Sequence, residues 1–297
     1  MAGVTLLSAC ATAGSRAVAA PPRPWGVQLF TVLPLIEKDI EGTLKAVATL
    51  GYKEVETIGS FGRDPAYVRS LLDRFGLVSP SQHIASDFLY LSFSQWSRRE
   101  ITTEQNRANY VATLQPENVE RLVEGAIAQA KVLGQHYVVW PILMAPHLET
   151  RELVDRFTAA FNRGGEMCAK EGLNFAYHNH ALEFAKLGND VIYDVILKQT
   201  DPKLVKLELD FYWVSKAGAD PLTYLAANKG RYRMAHVKDM TAAGDFAVVG
   251  GGIIDLPKLI NAARVAGVEH FYVEYDRSVD PMREISESIT YLSALPR

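Results

Sequence analysis

Cysteine is nearly absent: Cys10 and Cys168 are the two in a chain of 297 residues. With Cys10 processed as a lipoprotein cysteine, Cys168 has no partner and an intrachain disulfide is excluded. Cys168 lies in GGEMCAKEG with no histidine or second cysteine nearby, which reads as a packed thiol rather than a nucleophile. No block of Lys or Arg follows a phosphate-backbone spacing, and the formal net charge is −3, so the electrostatic footprint of a nucleic-acid binder is missing. No apolar run reaches the roughly 18 to 20 residues needed to cross a bilayer. The 14 prolines and 21 glycines are scattered, which leaves no flexible linker. What remains is a chain 48% hydrophobic and 22% charged, long enough for one large core, whose expected partner is a small polar molecule.

Residues 1–24 read differently. MAGVTLLSACATAGSRAVAAPPRP is small, Ala-rich and free of acid, like the end of an export signal, although it lacks a basic n-region. Leu7-Ser8-Ala9-Cys10 has the form of a lipoprotein box, and Ala17-Val18-Ala19 offers a competing cleavage site. The reading is an exported, periplasmic chain with a candidate lipid anchor at Cys10, against a disordered cytoplasmic leader. Residues 25–297 then form a single domain.

From Trp25 onward, short β-branched or aromatic runs alternate with segments of helical period. The expected strands are Trp25–Thr31, Glu54–Ile58, Leu77–Ile84, Tyr137–Pro141, Asn174–His180, Val205–Asp210, Arg233–Lys238 and His270–Tyr275. Expected helices cover about 39–50, 66–75, 118–133, 150–171, 191–198, 221–228, 256–266 and 281–292, several of them closed by glycine. Eight such pairs fit an α/β fold of the (β/α)8 TIM barrel type, with its active site at the carboxyl ends of the strands. An open doubly wound sheet is the rival, disfavoured because no Gly-rich phosphate loop follows the first strand. The polar, aromatic-studded stretch Ala85–Glu117 follows the third strand and is expected to be a lid-like insertion on the catalytic side, with packing on the rim as the alternative. GDFAVVGGGIID reads as a rim loop.

Four segments end in metal-type ligands: NFAYHNHALEF, VKLELDFYW, RMAHVKDM and HFYVEYD. On successive barrel strands they bring Glu183, Asp210, His236 and Glu274 to one rim. Three carboxylates and one imidazole make a hard, mostly oxygen site, suited to one divalent cation, with Mn, Mg or Co favoured and Zn also accommodated. Each residue taken singly reads as a surface ion pair; their shared position at strand ends makes the case. His178 and His180 share a strand face by their two-residue spacing, as do His236 and Lys238, so these side chains are candidates to contact substrate. The alternative for Lys238 is a pair with Asp239. Gln28 and His83, near the ends of the first and third strands, are further substrate-binding candidates.

The strings YHNHALEF, LDFYWVSKAGADP, HVKDM, GGGIIDLPKL and VEYDRSVDP resemble the xylose isomerase-like superfamily, and most closely its exported bacterial sugar phosphate isomerase/epimerase branch. The resemblance spans Trp25 to Leu292. It implies that Glu183, Asp210, His236 and Glu274 bind one metal and that Glu183 and Glu274 act as an acid/base pair on a sugar. Trp213 stands where epimerase and dehydratase relatives often carry a histidine. The substitution replaces a polar contact with an apolar wall that suits a sugar ring or an aglycone, or serves as plain packing. The function expected is metal-dependent isomerisation or epimerisation of a sugar or keto-sugar by proton transfer next to a carbonyl, through an enediolate. Elimination by a 3-keto-glycoside lyase or dehydratase uses the same first step. A non-catalytic sugar-binding barrel is the alternative from another class, and under each reading the chain is a candidate homo-oligomer.

Overall fold

Period-two alternation decides which strand residues face the inside of the barrel, and in this chain it sends polar residues there in pairs. The structure, a computed structural model, describes residues 24–296. Its eight parallel strands are β1 (Gly26–Gln28), β2 (Glu54–Ile58), β3 (Val78–His83), β4 (Tyr137–Trp140), β5 (Asn174–His178), β6 (Val205–Asp210), β7 (Tyr232–Val237) and β8 (His270–Val273). Each pairs with the next, and β1 pairs with β8, which closes the barrel. The expected (β/α)8 architecture is therefore observed. The segment expected to be an export or lipoprotein leader, with Cys10 and Ala17-Val18-Ala19, lies outside the described residues except for Pro24.

Several strands end earlier than their apolar runs predict. Thr31 N–H turns back onto the Gln28 carbonyl, so residues after 28 form a turn. The fifth strand stops at His178 and the seventh at Val237, which leaves His180 and Lys238 on the first residues of the rim loops. These short strands matter for function. They free the backbone to aim side chains across the mouth.

The helical layer surrounds the strands. It comprises α1 (Leu33–Lys38), α2 (Ile40–Leu50), α3 (Pro65–Phe75), α4 (Asp87–Ser97), α5 (Thr103–Thr113), α6 (Val119–Leu133), α7 (Arg151–Lys170), α8 (Ile192–Gln199), α9 (Phe211–Lys216), α10 (Pro221–Ala227), α11 (Leu256–Ala266) and α12 (Pro281–Ala294). Local chemistry sets the ends. Asp39 accepts a hydrogen bond from Gly42 N–H at the start of α2, and Gly51, at φ 106°, closes that helix in the left-handed conformation. None of the described helices is long and apolar enough to cross a membrane.

The stretch after β3 is an ordered helical pair, α4 and α5, packed on the rim. Phe93 of α4 lies 4.8 Å from Phe30 and 5.6 Å from Trp96 between ring centres. Glu37 of α1 accepts hydrogen bonds from Tyr90 and Ser94 and pairs with Arg98 at 2.6 Å. Ordering by aromatics is as expected; the packing is against α1 and the end of β1.

Two apolar compartments result. The larger lies between strands and helices, and a small one of Tyr137, Val139, Ala176, Met234 and Tyr272 fills the barrel itself. Cys168 is fully buried in the larger compartment, and burial pushes its thiol up to about 12, which suits a packing role. Within α7, Gly164 and Gly165 allow the helix to approach the barrel. A Cβ on Gly165 would meet the backbone oxygen of Leu204 at 2.7 Å, whereas one on Gly125, exposed in α6, meets nothing.

The same substitution should thus act with opposite sign at two sites. Gly165→Ala is expected to destabilise the fold by about 1–3 kcal/mol, because backbone cannot yield as a side chain does. Gly125→Ala is expected to stabilise it by about 0.5–1 kcal/mol through lost chain entropy in the unfolded state. Urea unfolding of both variants measures the contrast.

Candidate metal and substrate site

The site is layered along the barrel axis. At the bottom, Ser81 donates to Tyr272 Oη at 2.9 Å within the apolar compartment. Above it lies a polar floor of Gln28, Glu56, His83, His178, Glu208 and His236. Above that, at the carboxyl ends of the strands, lie Asp210, Lys238, Glu274 and Asp276. Register builds the floor, where Gln28 pairs with Glu56 and His178 with Glu208, and the pair of Asp210 with His236 links it to the layer above.

One ligand atom from each of His178, Asp210, His236 and Glu274 lies within 4.8 Å of the others, and all four residues are buried. His236 Nδ1 is 2.7 Å from Glu274 Oε2 and 3.9 Å from Asp210 Oδ2, and His178 Nε2 is 3.8 Å from the same Asp210 oxygen. Local structure aims Asp210. Its Oδ1 caps α9 by accepting Trp213 N–H at 2.8 Å, so Oδ2 is left facing the mouth with no aligned hydrogen-bond partner, although Lys238 Nζ lies 3.0 Å away. His236 Nδ1 likewise has no aligned hydrogen-bond partner despite its close approach to Glu274. Buried donor atoms that face one another without hydrogen bonds fit a shared cation, and the mixed oxygen and imidazole set suits a divalent ion.

Lys238 shares this space. Its Nζ lies 3.0 Å from Asp210 Oδ2, 2.6 Å from Glu274 Oε2 and 2.6 Å from Asp276 Oδ1. The pair with Asp239 expected as an alternative does not form. The Asp239 carboxylate instead accepts N–H groups of Met240, Gly250, Gly252 and Ile254, tying down the Gly-rich rim loop. Burial opposes the charge on Lys238, but Asp210, Asp276 and Glu274 outweigh it and hold the ammonium well above its ordinary range. Burial likewise opposes the Glu274 carboxylate, and Lys238 and His236 hold it well below. For Asp210 and Asp276 burial wins: both are raised, Asp276 to about 6.

Glu183 stands beside this group rather than within the four. It sits on a 3₁₀ turn, Leu182–Phe184, after β5, where its Oε1 accepts hydrogen bonds from Tyr177 Oη and, at 3.0 Å, from His180 N–H. Its Oε2 is buried without a partner. Burial, with the nearby Asp210 charge adding to it, pushes the carboxyl up to about 7.

The other expected contacts divide between mouth and floor. His180 packs edge-on to His178 at 5.0 Å and lies 5.3 Å from Trp213, whose ring also stands 5.9 Å from Lys238 Nζ. Trp213, Tyr212 and Phe246 form an aromatic wall, with the indole N–H of Trp213 buried and unpartnered. Gln28 is fully buried in the floor, where it donates to Glu56 at 2.7 Å, and His83 lies 2.9 Å from Glu208. Sequence reasoning passed over Glu56, Glu208 and Asp276. The last two lie two residues from Asp210 and Glu274, so the alternation that selected Lys238 also points to them. Glu56 is one of two acids of like parity in β2, the other being Glu54, and both are buried.

The family described as "Xylose isomerase-like TIM barrel" matches residues 8–295. Among curated proteins, an inosose dehydratase of Geobacillus thermodenitrificans (strain NG80-2) is 24% identical over 260 residues, covering 80% of this chain and 82% of that protein. Among solved structures, a sugar phosphate isomerase/epimerase from Parabacteroides distasonis ATCC 8503 superimposes with a TM-score of 0.75 at 22% identity, over 97% of this chain and 99% of the other. An L-ribulose 3-epimerase gives 0.65 at 15% identity, over 91% and 93%. At these identities the structural likenesses establish the fold.

The raised Glu183 carboxyl has a measurable consequence in cation-free protein. Its folded value of about 7 exceeds the unfolded one, so its contribution is favourable at low pH and is lost as pH rises from about 4.5 to 7. Glu183→Gln keeps an oxygen for Tyr177 and His180 without the buried charge. In EDTA at pH 8 the variant should melt above the wild type, and the gap should close as pH falls toward 4.5.

Proposed function

The chain belongs to the xylose isomerase-like TIM barrel family, and from that premise we propose that it is a divalent-metal-dependent isomerase or epimerase of a sugar or keto-sugar. The observation that carries this reading is the convergence of His178, Asp210, His236 and Glu274 at the barrel mouth, with the free oxygen of Glu183 beside them. The isomerase/epimerase and dehydratase names among its relatives support the substrate class.

Asp210, His236 and Glu274 would hold the cation, with Glu183 or His178 completing the set. When bound, such an ion supplies Lewis-acid polarisation of a substrate carbonyl and its neighbouring hydroxyl. The remaining work falls to the protein. Glu183 and Glu274 move the proton at the carbon next to the carbonyl, one removing it and the other returning it on the opposite face. Lys238, kept charged by three carboxylates, donates a hydrogen bond to the oxygen on which negative charge develops in the enediolate. Trp213 and His180 cover the sugar ring and exclude water, and the indole N–H is available to a substrate oxygen. The leader read as an export signal favours a free sugar or glycoside, met outside the cytoplasm, over a sugar phosphate.

Elimination is the second reading, favoured by the likeness to inosose dehydratase over 80% of the chain. Here the same enolate forms a carbon–carbon double bond by expelling a leaving group β to the carbonyl, which departs with a proton, instead of taking a proton back at carbon.

Purified protein incubated in D₂O with 3-keto-sugars and free ketoses should exchange one carbon-bound hydrogen, and EDTA should stop the exchange. Glu274→Gln should slow it by about 10²- to 10⁴-fold. Exchange with retention of all substituents identifies the epimerase, and loss of water or an aglycone identifies the lyase. Tight sugar binding without exchange would reject both in favour of a binding barrel.

A further inference from the structure

The floor of the site contains an ordered hydrogen-bond chain that runs from the first rim turn to the far side of His236. Phe30 N–H donates to Gln28 Oε1 at 3.2 Å, which orients the Gln28 amide so that its nitrogen faces β2. Gln28 Nε2 donates to Glu56 Oε2 at 2.7 Å, and the same oxygen lies 2.8 Å from His236 Nε2. Glu208 Oε2 lies 3.3 Å from that nitrogen on the other side. Gln28, Glu56, Glu208 and His236 are all fully buried, so no water competes for these contacts.

A carboxylate oxygen only accepts, so the imidazole nitrogen between Glu56 and Glu208 must carry hydrogen. In a neutral ring this leaves the lone pair on Nδ1, the atom that faces Asp210 and Glu274. From this geometry, and building on the metal-site reading above, we propose that Glu56 is a positioning residue for the cation. It fixes the His236 tautomer and ring orientation from below, and Gln28 fixes Glu56 in turn. Such partners commonly raise ligand basicity as well as orient it. The floor also places His83 Nε2 at 3.3 Å and 2.9 Å from Glu56 and Glu208. His83, Glu208, His178 and His236 would therefore be the donors if the floor were itself a second cation site.

Titration of the EDTA-treated full chain with Co²⁺, followed by calorimetry and visible absorption, separates these outcomes. The wild type should bind one Co²⁺. Glu56→Gln should bind it about 10- to 100-fold more weakly, with an unfolding midpoint in EDTA no lower than that of the wild type. Gln28→Ala changes no charge and does not touch His236, so a weaker loss in the same direction shows that orientation, not only charge, is at work. If Glu56→Gln fails to fold, Gln28→Ala alone carries the comparison. Wild-type affinity in the variants, or uptake of two Co²⁺ per chain with the second lost on His83→Ala, overturns the positioning role while leaving the rim site intact. A wild-type chain that takes up no Co²⁺ overturns the rim reading and the positioning role together.

Discussion

Concentrated buried negative charge is the constraint on which the rest of the mouth depends. Asp210, Glu274 and Asp276 open into one space, Glu183 stands at its side, and Glu56 and Glu208 lie just beneath. Removing so many carboxylates from water is unfavourable unless each meets a positive charge or a hydrogen-bond donor. Lys238 meets three of them, His236 lies between the upper and lower sets, and a cation would add charge where donor atoms still lack hydrogen bonds. Lys238 and His236 thus stabilise an arrangement of carboxylates that a bound cation would stabilise further.

The closed barrel makes this arrangement possible. Eight short parallel strands deliver side chains from all directions to one mouth, and burial on both faces of the sheet keeps the backbone rigid. The rim loops are then fastened individually. Asp239 gathers backbone N–H groups of the Gly-rich loop, Asp210 caps α9, Glu183 clamps the turn after β5, and Glu37 ties α4 to α1. In two of these fastenings the anchoring carboxylate is itself a site residue. Fold stability and site geometry are therefore coupled at Asp210 and Glu183.

Much of this was legible in the chain. The alternation of strand runs with helical segments gave the eight-unit barrel, and the residues that end VKLELD and HFYVE lie where strand periodicity puts them. His178 and Lys238 also follow from counting by two. Strand length was less legible: LFT continues the first strand in composition, yet it turns, because Thr31 N–H finds the Gln28 carbonyl before a neighbouring strand. The pairing of Lys238 with Asp239 was the alternative to a substrate contact. It fails because adjacent residues on extended backbone point to opposite sides.

Periodicity is a local property, so the sequence by itself determined the repeat, the parity of each strand and hence the list of side chains able to reach the mouth. It could not determine their depth. That His178 joins Asp210, His236 and Glu274, that Glu183 lies to one side, and that Gln28, Glu56 and Glu208 form a floor depend on the stagger between strands distant in sequence. Stagger is set by closure of all eight strands at once, and only the tertiary structure contains that condition.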